Sequence, residues 1–314
     1  MDLHRITHPL RLAMGSHSPG SGKGCAMNVI SYINGDAQVT DFPTCSARPL
    51  SLLVQSTNDL LAGADGYLSP EHSVVALDLA WQTVGTADVP DTVVHAWVAE
   101  LLTDPVWGVL RYTKITSHKA ILDVAELHRA AASDDMAPMA DWDAAGRTAR
   151  AVATNLSGAG TRAVQAASES STFVDNDLLM ALDKVVVHAQ NAYALASGDA
   201  SAAIRVAELT GHAIRSWRRL AELDAQKARD VSPALLGQEV QLAGRTQAVE
   251  SPAGTPEWVV SAASRPVAGH GRDGVGEADN RAPHGAAAYR AAHRRTMWRL
   301  TAESGDLVRS TWHR

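Results

Sequence analysis

Residues 139–168 read MADWDAAGRTARAVATNLSGAGTRAVQAAS, and this stretch decides the fold class. Alanine dominates here and in the residues that follow, as far as residue 229. Alanine is the best helix former, but each one buries little apolar area, so such helices pack closely against each other. We therefore predict an Ala-rich helical hairpin or bundle over residues 139–229, with long helices near residues 139–168, 175–197 and 199–228.

The residues before this stretch are predicted to form a compact N-terminal helical module over residues 22–132. The clearest helix start is Ser69, a cap residue that is followed by Pro70 at the first helical position. Leu50, Leu53, Val54 and Leu61 recur at helical spacing and are predicted to face inward. The predicted helices of the module are residues 24–34, 47–61, 70–81, 90–103, 104–112 and 117–132.

Three further segments complete the predicted organisation of an all-α chain. Residues 1–21 contain prolines and glycines without periodicity and are predicted to be a flexible leader. Residues 230–285 are rich in Gly, Pro, Ser and charge, which is typical of a linker or of disorder. Residues 286–314 return to a helical pattern and are predicted to form a short basic C-terminal helix.

The distribution of charge excludes some partners. The net charge of the chain is −6, and no Lys or Arg occurs between Arg48 and Arg111, so the surface of that region is predicted to repel phosphate. No apolar run approaches the roughly 20 residues that span a bilayer, and the N-terminus lacks the apolar core of a signal peptide. With only two cysteines, a disulfide framework is excluded. These features predict a cytoplasmic protein without membrane contact.

The segment from Gly24 to Asp59 carries a recognisable pattern. It reads GCAMNVISYINGD over residues 24–36, then TDFPTC over residues 40–45, then STND over residues 56–59. This pattern resembles a group of uncharacterised proteins of actinobacteria, other bacteria and their phages. Their sequences show Cys-hydrophobic-Met-Glu, a Gly-Glu pair, a Ser/Thr-Asp-x-Pro-x-Cys turn and a helix that ends in Asn-Asp. The resemblance covers about a third of the chain and implies kinship without a named activity.

The chain departs from that pattern at two positions. Asn28 and Asp36 stand where the family has glutamates. The chain therefore lacks a long carboxylate at both positions.

Two motifs in or next to this segment do not have the residue spacing that a phosphate-binding loop or a zinc site needs. Lys23 lies in a glycine-rich run, but a phosphate-binding loop needs an earlier glycine, a hydroxyl residue after the lysine and a preceding strand. Cys25 and Cys45 lack a second cysteine pair or a nearby histidine for tetrahedral zinc, so packing is the favoured role of both thiols. No cofactor or metal is expected.

The strongest candidate site is a polar cluster. Asp36, Asp41, Asn58 and Asp59 could gather at one end of the first two helices, where paired carboxylates could support acid–base or metal chemistry. The structural alternative is that Asp41 stabilises a turn and that Asn58 and Asp59 lie on a solvated helix face.

Other chemistry-bearing residues have simpler interpretations. His72, His95, His118 and His128 each lie in a predicted helix, where a single histidine is more often a packed or surface residue than a ligand. The tryptophans at positions 81, 97 and 107 recur on apolar faces and are predicted to pack the core.

Two functions are compatible with these features. The favoured prediction is a non-enzymatic binding or interaction protein of phage or mobile-element type, which acts through self-association or a host protein partner. The alternative is a small-molecule or nucleotide-binding protein, or an enzyme, with its site at Asp36, Asp41, Asn58 and Asp59. Nucleic-acid binding is expected to be weak at most, because its basic footprint is limited to Arg290, Arg294, Arg295 and Arg299.

Overall fold

The computed structural model describes residues 11–15, 17, 23–172, 178–198 and 201–223. Within these residues the fold is all-α, as predicted, and its only extended pairings are two isolated bridges. The predicted linker over residues 230–285 and the predicted C-terminal helix lie outside the described residues. The α-helices are α1 (Ala26–Asn34), α2 (Arg48–Leu61), α3 (Pro70–Gln82), α4 (Asp91–Thr103), α5 (Ile115–Ala132), α6 (Met139–Ala153), α7 (Gly158–Ser170), α8 (Leu178–Ser197) and α9 (Ala202–Leu220).

Local sequence signals set several of the helix ends. The hydroxyl of Ser69 accepts a hydrogen bond from the amide of His72 at 3.2 Å, and Pro70 begins α3. Gly35 ends α1 in the left-handed conformation, with φ of 84°, and its amide donates to the carbonyls of Ser31 and Tyr32. A residue with a side chain is strained in that conformation, which explains the glycine. The Ser69 cap and Pro70 confirm the predicted start of α3.

The predicted single helix over residues 139–168 is wrong, because the chain breaks between α6 and α7. The hydroxyl of Thr154 and the side-chain amide of Asn155 both donate to the carbonyl of Ala151, at 2.7 and 3.1 Å. Such side chains compete with the backbone for helical hydrogen bonds. Gly158 follows with φ of 63°, and the chain turns back so that α7 packs against α6. Residues 104–112 are also not an α-helix: only Val109–Tyr112 is helical, as a 3-10 turn.

Helix α2 lies at the centre of the described fold. It contacts α1 and α3 on one side and α8 and α9 on the other, and 11 of its 14 residues are buried. The predicted inward residues Leu50, Leu53, Val54 and Leu61 are all buried, as expected. Apolar residues from both predicted regions, 22–132 and 139–229, join in one continuous core around α2. Among the described helices, none is both long enough and apolar enough to cross a bilayer.

The tryptophans divide between core and surface. Trp97 and Trp107 are buried as predicted, and Trp97 packs edge-to-face on Trp217 of α9, with 5.3 Å between ring centroids. The prediction for Trp81 is wrong, since its side chain is 47% exposed. Trp81 lies on the side of α3 that faces away from Ala76, Leu79 and Ala80, the buried residues of that helix.

A buried histidine pair joins α4 to α5. The Nδ1 atoms of His95 and His128 lie 2.9 Å apart, and the ring of Trp142 packs edge-to-face on His128 with 4.8 Å between centroids. Burial lowers the pKa of His128 well below its usual value, and the nearby His95 lowers it further. Burial also lowers the pKa of His95, although Asp91 opposes this shift. A proton is therefore taken up less readily in the folded protein than in the unfolded chain.

The histidine pair predicts that acid destabilises the fold. Because the folded-state pKa values lie below the unfolded value near 6.5, their contribution to stability is full above that pH and is lost as the pH falls toward the folded values. We expect the free energy of unfolding, measured in urea, to fall between pH 7.5 and pH 5. His128→Gln should flatten this pH dependence, while His118→Gln on the same helix should leave it unchanged. Equal pH slopes in the parent and in His128→Gln would contradict the assignment.

Candidate functional site

Three of the predicted polar residues lie around the N-terminal end of α1. The last turn of α2 carries Asn58 and Asp59, and the connection between α1 and α2 carries Asp41. Asp36 belongs to a different network. The hydrogen-bond partners of each residue show what this arrangement can do.

Asp41 is fixed by the first residues of α1. One of its carboxylate oxygens accepts hydrogen bonds from the Cys25 thiol at 3.4 Å and from the side-chain amide of Asn28 at 2.9 Å. Asn28 also accepts the backbone amide of Cys25 at 3.0 Å through its side-chain oxygen. An amide can donate to Asp41 and accept from the backbone at once, whereas a glutamate at this position would accept only and would repel Asp41. This double role gives Asn28 a structural use.

Asn58 connects two segments of backbone. Its side-chain oxygen accepts the amide of Ala26 at 3.2 Å, and its side-chain NH₂ donates to the carbonyl of Ala13 at 2.9 Å. The first amides of a helix have no partner within the helix, so Asn58 satisfies one of those of α1 from outside. The Asn58 side chain is fully buried. The predicted solvated position of this residue is therefore wrong.

Asp59 holds the N-terminal segment. Its carboxylate accepts the amide of Gly15 at 2.8 Å and the side-chain NH₂ of Asn58 at 3.4 Å. Burial raises the pKa of Asp59, and the negative charge of Asp41 raises it further. The two hydrogen bonds and the proximity of His17 act in the opposite direction. The two carboxyl groups therefore interact, but each is bonded to protein groups.

Asp36 organises the turn after α1. Its carboxylate accepts from the Ser31 hydroxyl at 2.7 Å, the Asn34 side chain at 2.7 Å and the Thr44 hydroxyl at 2.6 Å. Burial raises the pKa of Asp36, but the hydrogen bonds from Thr44, Ser31 and Asn34 outweigh it and hold the pKa below its usual value. This pattern is typical of an aspartate that stabilises a turn.

Neither thiol has the environment of a nucleophile. Burial raises the pKa of Cys25, and Asp41 raises it further. Burial and the charge of Asp36 likewise raise the pKa of Cys45. A reactive cysteine needs a lowered pKa, so both side chains suit packing. Within the described ranges, no group of three or more His, Cys, Asp or Glu residues is placed to hold a metal ion.

Part of the predicted leader belongs to the fold. Leu12 is fully buried, and Ala13 pairs with Tyr67 in an antiparallel bridge. The amide of Leu68 donates to the carbonyl of Leu12 at 2.9 Å. The sequence signal for this contact is short, because only Leu10, Leu12 and Met14 alternate as apolar residues in this stretch.

An exposed apolar row lies on one face of α3. Val74 is 68% exposed, Trp81 is 47% exposed, and Leu77 lies between them, half-buried. We call Val74, Leu77 and Trp81 the α3 seam. Their intervals of three and four residues place them on one side of the helix, as at the a and d positions of a coiled coil. Exposed Glu71 and Asp78 both lie along one side of the seam, as at the e positions of a coiled coil.

A cleft of about 470 Å³ opens between α4 and α5. Its charged lining residues are bonded to their neighbours: Glu100 accepts from the Ser216 hydroxyl at 2.6 Å and from Arg219. Arg129 donates to the Thr103 hydroxyl at 2.6 Å. These bonds join α4 to α9 and to α5, which is a structural role.

Comparisons of the chain with models of protein families, with curated proteins and with solved structures found no match. The resemblance over residues 24–59 therefore stays a prediction.

The polar network predicts that Asn58 is required for folding. Asn58→Leu keeps the side-chain volume similar but leaves the amide of Ala26 and the carbonyl of Ala13 buried without that partner. Each unsatisfied buried group costs about 1–3 kcal/mol, so we expect a loss of roughly 2–6 kcal/mol in the free energy of unfolding. Urea denaturation measures it. Gln38→Leu, at an exposed position, should cost less than about 0.5 kcal/mol. A similarly small loss for Asn58→Leu would refute the structural role.

Proposed function

We propose that the protein is a non-enzymatic interaction protein that binds a helix of a protein partner through the α3 seam. The observation that carries this proposal is the exposure of Val74 and Trp81 along one face of α3. Large exposed side chains at helical spacing are the anchors by which an amphipathic helix is recognised. A tryptophan that is exposed in the free protein and becomes buried when a partner binds supplies much of the binding energy in known interfaces.

The charges beside the seam indicate the chemistry of the partner. Glu71 and Asp78 lie along one side of it, and the sequence contains no Lys or Arg from residue 49 to residue 110. Two copies paired antiparallel along this seam would bring acidic flanks together, which is unfavourable. A basic amphipathic helix complements both the apolar seam and its acidic border. We therefore favour a partner over self-association.

The polar cluster supports a non-enzymatic role for the residues that first suggested chemistry. Asp41, Asn58 and Asp59 hydrogen-bond to Cys25, Asn28 and backbone amides, which ties three segments together. The alternative function, a small-molecule or nucleotide site at Asp36, Asp41, Asn58 and Asp59, would need these bonds to be exchanged for bonds to a ligand. The phage or mobile-element setting rests on the sequence resemblance.

Binding of a synthetic peptide tests the proposed function. The probe is a 21-residue peptide with Leu at the a and d positions and Arg at e and g, labelled for fluorescence anisotropy. We expect it to bind at least roughly tenfold more tightly than a matched peptide with Glu at e and g. Combined Val74→Ser and Trp81→Ala should weaken binding of the basic peptide by at least roughly tenfold, because both anchors are removed.

The matched control is Ile115→Ala, which removes an apolar side chain that is 84% exposed and lies outside the seam. This control should bind the basic peptide as the parent does. Equal affinity for the two peptides, or an unchanged affinity in the double variant, would refute the proposal. Dimerisation in light scattering that the double variant abolishes would replace the partner by a second copy.

A further inference from the structure

We propose that residues 286–314 of the same chain bind the α3 seam and compete there with the external partner. This inference rests on the proposed function, because it concerns the same surface. These residues lie outside the part of the chain that the structure describes; their sequence and the described residues around α3 support the inference.

The first support is complementarity of charge. Arg290, Arg294, Arg295 and Arg299 give the segment a concentration of positive charge that is unusual in this acidic protein. The α3 seam is bordered on one side by Glu71 and Asp78 and lies within the part of the sequence that contains no Lys or Arg. Complementary charges of this kind fix orientation and partner choice more than they add affinity.

The second support is the apolar pattern of the segment. Tyr289, His293, Met297 and Leu300 recur at intervals of four, four and three residues. This spacing predicts that three apolar residues and His293 share one side of a helix, with Trp298 on the opposite side. This arrangement matches the intervals of Val74, Leu77 and Trp81 on α3. The sequence of this segment therefore predicts a basic helix with a partly apolar side, which is the kind of partner that the seam fits.

The third support is the place where the chain leaves the described fold. Arg218, in the last turn of α9, donates to the carbonyls of Gln82 and Val84 at 3.2 Å each. The indole of Trp217 donates to the carbonyl of Thr86 at 3.1 Å. These bonds place the end of α9 beside the C-terminal end of α3.

Chain length permits the return. α3 has 13 residues and is therefore about 20 Å long. Residues 221–285 separate α9 from the basic segment, and this length of chain reaches any point along α3. Because the segment is tethered to its target, binding is intramolecular, and a modest intrinsic affinity is sufficient for occupancy.

Photo-cross-linking in the full chain tests the inference. With p-benzoylphenylalanine in place of Val74, we expect ultraviolet irradiation to join the seam to a peptide within residues 286–314. Val74 is 68% exposed, so the replacement leaves the core intact, and a second variant carries the cross-linker at Trp81. A mixture of ¹⁵N-labelled and unlabelled protein should give cross-linked peptides of a single isotope, since both ends belong to one copy. The cross-linker at Ile115 is the control and should not reach the segment.

Reversing the charge of four arginines together tests the contribution of charge: Arg290→Glu, Arg294→Glu, Arg295→Glu and Arg299→Glu. This variant should lose the cross-link and should bind the basic synthetic peptide at least roughly tenfold more tightly than the parent, because the internal competitor is removed. The inference is overturned if no cross-link falls within residues 286–314, or if the cross-links join two copies. It is also overturned if the peptide binds measurably and with equal affinity to the parent and to the variant.

The two proposals fail in different ways. If the synthetic peptide binds the parent and the four-arginine variant with equal affinity, the α3 seam is a docking surface and residues 286–314 do not compete for it. If the peptide binds neither protein and the cross-link still forms in the parent, the proposed external partner is contradicted. The internal contact with residues 286–314 is then supported.

Discussion

The structure depends on the burial of α2 on both of its faces. α2 carries Ser51, Gln55, Ser56, Thr57 and Asn58 into the interior together with its leucines. A buried polar group must be hydrogen-bonded, or it costs the fold several kcal/mol. The carbonyl of Leu53 illustrates the solution, since it accepts from the hydroxyl of Thr57 at 2.8 Å and from Gln190 of α8 at 3.0 Å. Thr57 in turn contacts the hydroxyl of Thr210 of α9 at 2.8 Å.

The same constraint explains why the polar cluster exists. The last turn of α2 brings Asn58 and Asp59 against the start of α1 and the segment over residues 11–15, where their partners are backbone groups. α3 differs from α2 because only one of its faces is buried, and that face consists of Ala76, Leu79 and Ala80. Its small buried residues let it lie close to the core while Val74 and Trp81 point away. Interior and surface roles are thus divided between neighbouring helices.

Much of the fold is predictable from local sequence, and the exceptions have physical causes. The Ser69-Pro70 pair and the glycine after α1 are local signals, so the start of α3 and the end of α1 were predictable. The break after α6 was not, because alanine favours a helix on both sides and only the side chains of Thr154 and Asn155 oppose it. The burial of Asn58 was not predictable either, since its partners are the amide of Ala26 and the carbonyl of Ala13, which lie 32 and 45 positions away in sequence. Of the candidate site, the proximity of Asp41 to Asp59 was predictable, and the separate network of Asp36 was not.

Native-state hydrogen exchange tests the central position of α2 most directly. Amides from Leu53 to Leu61 are expected to exchange only through global unfolding, because their exposure requires the departure of α8 and α9 as well as α1. Amides of α3 are expected to exchange at least roughly tenfold faster, through local opening. Protection of α2 that equals the free energy of global unfolding is the predicted result. Exchange of α2 at the rate of α3 or faster would contradict the account.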